Sequence, residues 1–372
     1  MNVYEVTGLK VIIAGGGTAG HINPGIAIAR YIKEKDKNSE ILFIGTKKGM
    51  EAQLVPREGF EIKFIKVRGF KRKLSKENLT AIKELIEGIS GSKRIIREFK
   101  PDVVIGTGGY VCGPVVYSAS KMKIPTLIHE QNAFPGITNR ILARYVDAVA
   151  VSFKESEQYF KAAKKLINTG NPVRPELFKI DRQTARQKLG LDKQKPLVVV
   201  MGGSLGAEKI NETVVAMLQK YFKNDDINMI FSTGTRQYDK VMQSLAGYNN
   251  PSVNITPYIY DSATVYNAAD LVICRAGAIT CSEITALGIP AIIIPSPNVV
   301  ANHQEHNARA LEKHGAAVVI IEKDLNVDLL FQQVADLLKD REQLGKMARN
   351  SKKIGIVNST EKIYSIIKEI TA

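Results

Sequence analysis

The feature that most narrows what this chain can fold into is a unit that recurs along it. Each unit is a short, almost wholly apolar run, then a turn of small residues, then helical sequence. LKVIIA (9–14) runs into GGGTAGHINPG and the helical IAIARYIKEK, and ILFIG (41–45), DVVIG (102–106), IPTLI (124–128) and DAVAVS (147–152) follow. Runs of this length with no polar alternation suit strands buried on both faces, as in parallel sheets. Strands alternating with helices read as a doubly wound α/β fold.

The second half repeats the pattern. PLVVVMGGSLGAEKINETVVAML is again strand, glycine turn and helix, and Asp102 and Pro125 of the first half parallel Asp270 and Pro290, at offsets of 168 and 165 residues. Two similar folds in tandem are expected. A length of 372 residues also exceeds what one hydrophobic core usually serves. The break belongs at Thr169 to Pro175, where Gly, Asn and two prolines interrupt any helix. The expected organisation is therefore two Rossmann-like domains, 1–168 and 169–350. A C-terminal helix, 351–372, is expected to return to the first domain. Asn358 and Glu361 stand at capping-box spacing, and Ile363, Tyr364, Ile366, Ile367 and Ile370 form an apolar stripe that must be buried.

Composition narrows the partners. The net charge of +15 is uneven: residues 1–168 carry 28 Lys/Arg against 16 Asp/Glu, the remainder 24 against 21. An anionic partner for the first half follows. With no Trp, few aromatics and no reading motif, nucleic acid is disfavoured, and a membrane surface or a phosphorylated substrate fits better. Cys112, Cys274 and Cys281 show no metal-ligand spacing and read as buried thiols in a reducing compartment. The start of the chain lacks a basic n-region, so no signal peptide is expected, and no apolar stretch reaches membrane-span length.

Four glycine turns follow strands: 15–20, 106–110, 202–206 and 277–278. Each can aim backbone N–H groups and a helix N-terminus at phosphate oxygens. The first matches GxGxxG, but the next strand ends Gly45-Thr46-Lys47-Lys48 instead of in an acidic residue, which disfavours NAD. No lysine stands at Walker A spacing, and no DxD pair offers carboxylates to a catalytic metal. Neither a metal nor a cofactor is expected. His21, beside the last glycine of the first turn, is a candidate base. From about Lys76, Leu79, Ile82, Leu85, Ile86 and Ile89 fall on one helical face behind a basic loop holding Phe70, Lys71, Arg72, Lys73 and Leu74. That face either turns to the core or anchors the chain to anionic lipid.

Taken together, GGGTAGHINPG, GTGGYVCGP, HEQNAFPG, GNPVRPE, GGSLGA and RAGAITCSE with NHQEHNA resemble the MurG-type N-acetylglucosaminyltransferases of bacterial peptidoglycan synthesis. The resemblance implies a glycosyltransferase B fold, its two domains facing across a cleft. It implies inverting, metal-independent transfer of N-acetylglucosamine from UDP-N-acetylglucosamine to the C4 hydroxyl of the muramoyl sugar of lipid I, giving lipid II at the cytoplasmic face of the cell membrane. Carried over by position, the donor side takes Arg174 and Ser204 near the diphosphate, Ile259 beside uracil, and Ala278, Ile279 and Thr280 along the sugar and phosphates. Glu283 takes the ribose, Asn132 and Gln304 the N-acetylglucosamine. Thr18, Ala19, Gly20 and His21 border the donor, and Gly17, Thr18, Gly108, Gly109 and Tyr110 the lipid diphosphate. His21 is the favoured base, with Glu130 as its rival. Two departures stand out: His303 where some relatives have Gln, and Ala19 where glycine is common.

Overall fold

The computed structural model describes residues 8–69, 76–192, 194–222 and 227–372; Phe70, Lys71, Arg72, Lys73 and Leu74 of the basic loop lie outside them. The chain divides into two compact units, one formed by residues up to Pro172 with Asn358–Ala372, the other by Val173–Val357.

In chain order the first unit contains β1 (Lys10–Gly15), α1 (Ala19–Lys35), β2 (Glu40–Gly45), α2 (Glu51–Arg57), β3 (Glu61–Phe64), α3 (Lys76–Phe99), β4 (Val103–Gly108), α4 (Cys112–Lys121), β5 (Thr126–Glu130), α5 (Ile137–Leu142), β6 (Ala148–Val151) and β7 (Leu166–Asn168). The second unit contains α6 (Arg182–Lys188), β8 (Leu197–Met201), α7 (Glu208–Tyr221), β9 (Asn228–Ser232), α8 (Tyr238–Ser244), β10 (Val253–Thr256), α9 (Ser262–Ala268), β11 (Leu271–Cys274), α10 (Ala278–Leu287), β12 (Ala291–Ile293), α11 (His303–Lys313), β13 (Ala317–Val319), α12 (Val327–Lys339) and α13 (Arg341–Ile354). The last helix, α14 (Ser359–Thr371), belongs to the first unit.

Both sheets are parallel. Their strand orders are β3-β2-β1-β4-β5-β6-β7 and β10-β9-β8-β11-β12-β13. In each, the order reverses between two neighbouring strands, β1 and β4 in one, β8 and β11 in the other. Turns leaving neighbouring strands in opposite directions open a crevice there, which is where such sheets receive ligands. The four glycine turns of the sequence are the turns at these two places.

The first sheet is covered on both faces. Ile12, Ala14, Leu42, Ile44 and Val104 pack toward α4, while Val11, Ile13, Phe43 and Ile105 pack toward α1 and α14. Ile363, Ile366 and Ile367 of α14 are buried there, each contributing roughly 1.5–3 kcal/mol by area removed from water. Ser359 Oγ donates to Gly170 O at 2.7 Å where this helix begins. The chain crosses between the units after Val357 and not at 351. Residues 351–354 complete α13, whose buried Ser351 donates from Oγ to Ile289 O at 3.2 Å and so holds that turn on the second unit.

The apolar face of α3 departs from a core-facing helix. Leu85 packs on the core, but Leu79, Ile82 and Ile86 are 69%, 47% and 64% exposed. The covered face of the helix runs through Ala81, Leu85 and Ser92, and Leu79, Ile82 and Ile86 lie on a different face. All three cysteines are free and buried.

Candidate active site

At the β1/β4 reversal the two glycine turns interlock. Gly16 N donates to Gly108 O at 3.3 Å, and Gly17 N donates to the buried carboxylate of Glu51 at 3.1 Å. These two amides, expected to face phosphate, are thus engaged within the protein. His21 sits on the first turn of α1 with Nδ1 3.1 Å from Gly16 O and 3.3 Å from Thr18 Oγ1. An imidazole donating from Nδ1 to a carbonyl accepts at Nε2, the arrangement a general base needs. Its ring lies against Gly108 and Gly109: a Cβ at Gly108 would stand 2.6 Å from His21 Cδ2, and one at Gly109 would collide with Gly16 O. Both glycines have positive φ, 108° and 82°, so shape and backbone both require glycine. Tyr110 packs beside Gly17. Gly17, Thr18, Gly20, His21, Gly108, Gly109 and Tyr110 therefore form one cluster. Ala19 is the first residue of α1, a helical position with no need for glycine.

Glu130, the rival base, is 2% exposed and committed. Its Oε1 accepts from Asn132 N (3.0 Å) and Asn132 Nδ2 (3.3 Å), and its Oε2 from Gly136 N (3.1 Å) and Asn139 Nδ2 (2.9 Å). With four donors on two oxygens, this carboxylate organises the β5–α5 loop. Neighbouring His129 is fully buried, which pushes its pKa down to about 4. Its Nε2 donates to Gly170 O at 3.1 Å, and Nδ1 accepts from Gln131 Nε2 at 3.0 Å.

At the β8/β11 reversal a cavity of about 750 Å³ is bounded by the 202–206 turn, the start of α7, Gly277, Thr280, Ser296, Asn298, Gln304, Arg275 and Glu322. The ten-residue α10 opens on it, its N-cap Gly277 making no side-chain hydrogen bond, so the positive end of the helix dipole faces the cavity. Gln304 is held by Ser296 N, which donates to its Oε1 at 2.9 Å, and Asn307 Nδ2 donates to Ala276 O at 3.1 Å, tying α11 to the turn. Ser204, Ala278 and Ile279 stand on the same two turns. His303 and Ile259 stand on adjoining loops, His303 with Nδ1 2.9 Å from Val300 O and Ile259 between the exposed Tyr258 and Tyr260.

Arg174 and Glu283, expected to serve different parts of a donor, are paired with each other: Arg174 Nε donates to Glu283 Oε1 at 2.7 Å. Burial pushes the Glu283 carboxyl up, and the guanidinium pulls it partly back. Arg174, half exposed, keeps its charge against that carboxylate. Sequence reasoning missed Arg275 and Glu322, an ion pair in the cavity wall, with Arg275 Nη1 also donating to Ile294 O (3.1 Å) and Pro295 O (3.2 Å). The available signal was an arginine at a strand end among small residues. It also missed Glu51, the first residue of α2, whose burial nothing in the local sequence signals.

Two Rossmann-like sheets, each with glycine turns and a helix N-terminus at its order reversal, make this a glycosyltransferase of the B fold. The N-terminal domain of glycosyltransferase family 28 matches residues 11–151 and its C-terminal domain residues 197–370, and the chain belongs to that family. It is 60% identical, over 97% of its length and 98% of the relative's, to the UDP-N-acetylglucosamine--N-acetylmuramyl-(pentapeptide) pyrophosphoryl-undecaprenol N-acetylglucosamine transferase of Acetivibrio thermocellus. The Listeria monocytogenes protein of the same name is 47% identical over 97% of this chain and 99% of its own. The crystal structure of Acinetobacter baumannii MurG superposes with a TM-score of 0.80 at 30% identity, covering 97% of this chain and 99% of that one.

Proposed function

We propose that the chain transfers N-acetylglucosamine from UDP-N-acetylglucosamine to the C4 hydroxyl of the muramoyl sugar of lipid I, forming lipid II in peptidoglycan synthesis. The names carried by relatives of near-complete coverage support the substrates. The observation that carries the chemistry is His21, its Nδ1 turned to Gly16 O, at the β1/β4 reversal. His21 Nε2 takes the C4 hydroxyl proton as the oxygen attacks the anomeric carbon. The bond from that carbon to the UDP oxygen breaks on the opposite side, inverting the configuration. Charge developing on UDP is met by the α10 N-terminus, with Thr280 in its first turn, and by Arg174. Glu283 accepts from the ribose hydroxyls, Ile259 flanks uracil, Ser204, Ala278 and Ile279 follow the diphosphate, and Asn132, His303 and Gln304 meet the transferred sugar. Gly17, Thr18, Gly108, Gly109 and Tyr110 receive the acceptor diphosphate. In this reading no protein-bound metal or cofactor takes part.

The chain is placed at the cytoplasmic face of the cell membrane, as a peripheral protein with no nucleic-acid partner. Among the described residues no helix is long and apolar enough to cross a membrane. The exposed Leu79, Ile82 and Ile86 of α3 support contact with the bilayer, as do exposed Ile137, Ile141 and Tyr145 with Arg140 and Arg144 around a cavity of about 460 Å³. Each cation near anionic lipid adds about 1 kcal/mol. Incubation with UDP-N-acetylglucosamine and a lipid I analogue tests the reaction: a disaccharide product is expected, and UDP release without it refutes the assignment. Co-sedimentation with phosphatidylglycerol vesicles tests the surface. Replacing Leu79, Ile82 and Ile86 together by Ser is expected to abolish it, and unchanged binding refutes the placement.

A further inference from the structure

We propose that Glu51 is a positioning residue for His21, acting through the single peptide group that joins Gly16 to Gly17. Gly17 N donates to Glu51 Oε2 at 3.1 Å, and the carbonyl oxygen of that same peptide, Gly16 O, lies 3.1 Å from His21 Nδ1. In a trans peptide N–H and C=O point in opposite directions, so the carboxylate and the imidazole stand at the two ends of one planar, polarisable unit. Glu51 Oε1 accepts from Thr46 N at 2.9 Å and Thr46 Oγ1 at 2.8 Å.

Three accepted hydrogen bonds are the pattern of an ionised carboxylate. Glu51 is 1% exposed, although first-turn acidic residues normally stand in water. Room for it is made by glycine: a Cβ at Gly16, Gly45 or Gly49 would run into its side chain. A negative charge behind the N–H draws electron density onto the carbonyl oxygen. That strengthens the bond from His21 Nδ1 and stabilises the imidazolium formed when Nε2 takes a proton. A carboxylate on the far nitrogen orients a catalytic histidine in the same way, here with a peptide between them.

The inference rests on His21 being the base. Among the described residues, the other titratable or charged groups around this corner include Tyr110 from the β4–α4 turn, Cys112 at the start of α4, Lys47 and Lys48 after β2, and Arg68, which is paired with Glu84. Burial pushes the Cys112 thiol up to about 12, so it stays neutral across the working range.

The test measures kcat and KM against pH, with UDP-N-acetylglucosamine and a short-chain lipid I analogue, for the intact wild type, H21Q, E51Q and the double variant. E51Q is expected to keep both KM values within about twofold and to lower kcat about tenfold. It should also move the acidic limb of kcat to lower pH by about one unit, because the imidazolium loses its stabilising charge. H21Q is expected to lose the limb, and adding E51Q to H21Q to cost nothing further. If H21Q retains kcat and the limb, the base assignment fails and this inference with it. If H21Q loses both while E51Q leaves the limb in place, or adds its full loss to that of H21Q, the base stands and the relay is overturned. Should E51Q not fold, Thr46→Val decides. It removes one donor from Oε1 and keeps the bond to Gly17, so the limb is expected at higher pH; an unmoved limb overturns the relay.

Discussion

Lowering the pH should loosen the first unit through His129. Its ring is fully buried, Nε2 donates to Gly170 O, and Nδ1 faces the Gln131 amide, which donates to it. A second proton would have to sit on Nδ1 against that N–H. Burial holds the pKa at about 4 in the fold, against 6.5 for an ordinary histidine. Below pH 6.5 the unfolded chain therefore binds a proton that the native chain refuses. Stability contributed by neutral His129 is complete above that value and is lost as pH falls toward 4. At about 1.36 kcal/mol per unit, the loss is about 2 kcal/mol by pH 5 and about 3 kcal/mol by pH 4. The position matters because Gly170 O also accepts from Ser359 Oγ, so the same carbonyl joins β5 to α14. Hydrogen exchange of β5 and β6 amides between pH 8 and 5 reads this unit's opening free energy separately from the other's. His129→Gln, with no titrating proton, is expected to be less stable at pH 8 but to lose about 2 kcal/mol less than wild type on going to pH 5. Parallel curves for the two proteins would refute the reasoning.

Gly109→Ala is expected to cut kcat about a hundredfold with little change in donor KM, since its Cβ would drive Gly16 O out of reach of His21; steady-state kinetics decide, and wild-type turnover sinks the account. Arg174→Ala is expected to weaken donor binding about tenfold and to make it tighten as pH rises. Without the guanidinium, Glu283 stays neutral to higher pH; calorimetric titrations with UDP at several pH values showing no such dependence would count against it. The three cysteines should resist alkylation by iodoacetamide in the native chain, because burial pushes all three thiols up, Cys112 and Cys281 to about 12; rapid native-state labelling would contradict this.

Much of the architecture was legible in the chain itself because its cause is local. A run such as VVIGTGG reads as a strand buried on both faces that ends in a turn, and the stripe of isoleucines at 363, 366 and 367 reads as a helix with one face to hide. Patterns of that kind depend on neighbours within a few residues. They were enough for two α/β units, for the glycine turns and for His21 beside one of them.

Tertiary structure decided what depends on distant partners. Gly17 meets Glu51 across 34 residues, and the first glycine turn meets Gly108 only because β4, not β2 alone, lies beside β1. Arg174 reaches Glu283 across 109 residues, so two groups assigned to different parts of a ligand became one ion pair. Read along the chain, His21 was the favoured base and Glu130 its rival. Only the tertiary structure put four donors on Glu130 and set His21 Nδ1 beside Gly16 O and Thr18 Oγ1, because a hydrogen bond's partners are set by packing. The apolar face of α3 shows the same division: periodicity made it a helix, and only packing through Ala81, Leu85 and Ser92 decided which face is covered and left Leu79, Ile82 and Ile86 to the solvent.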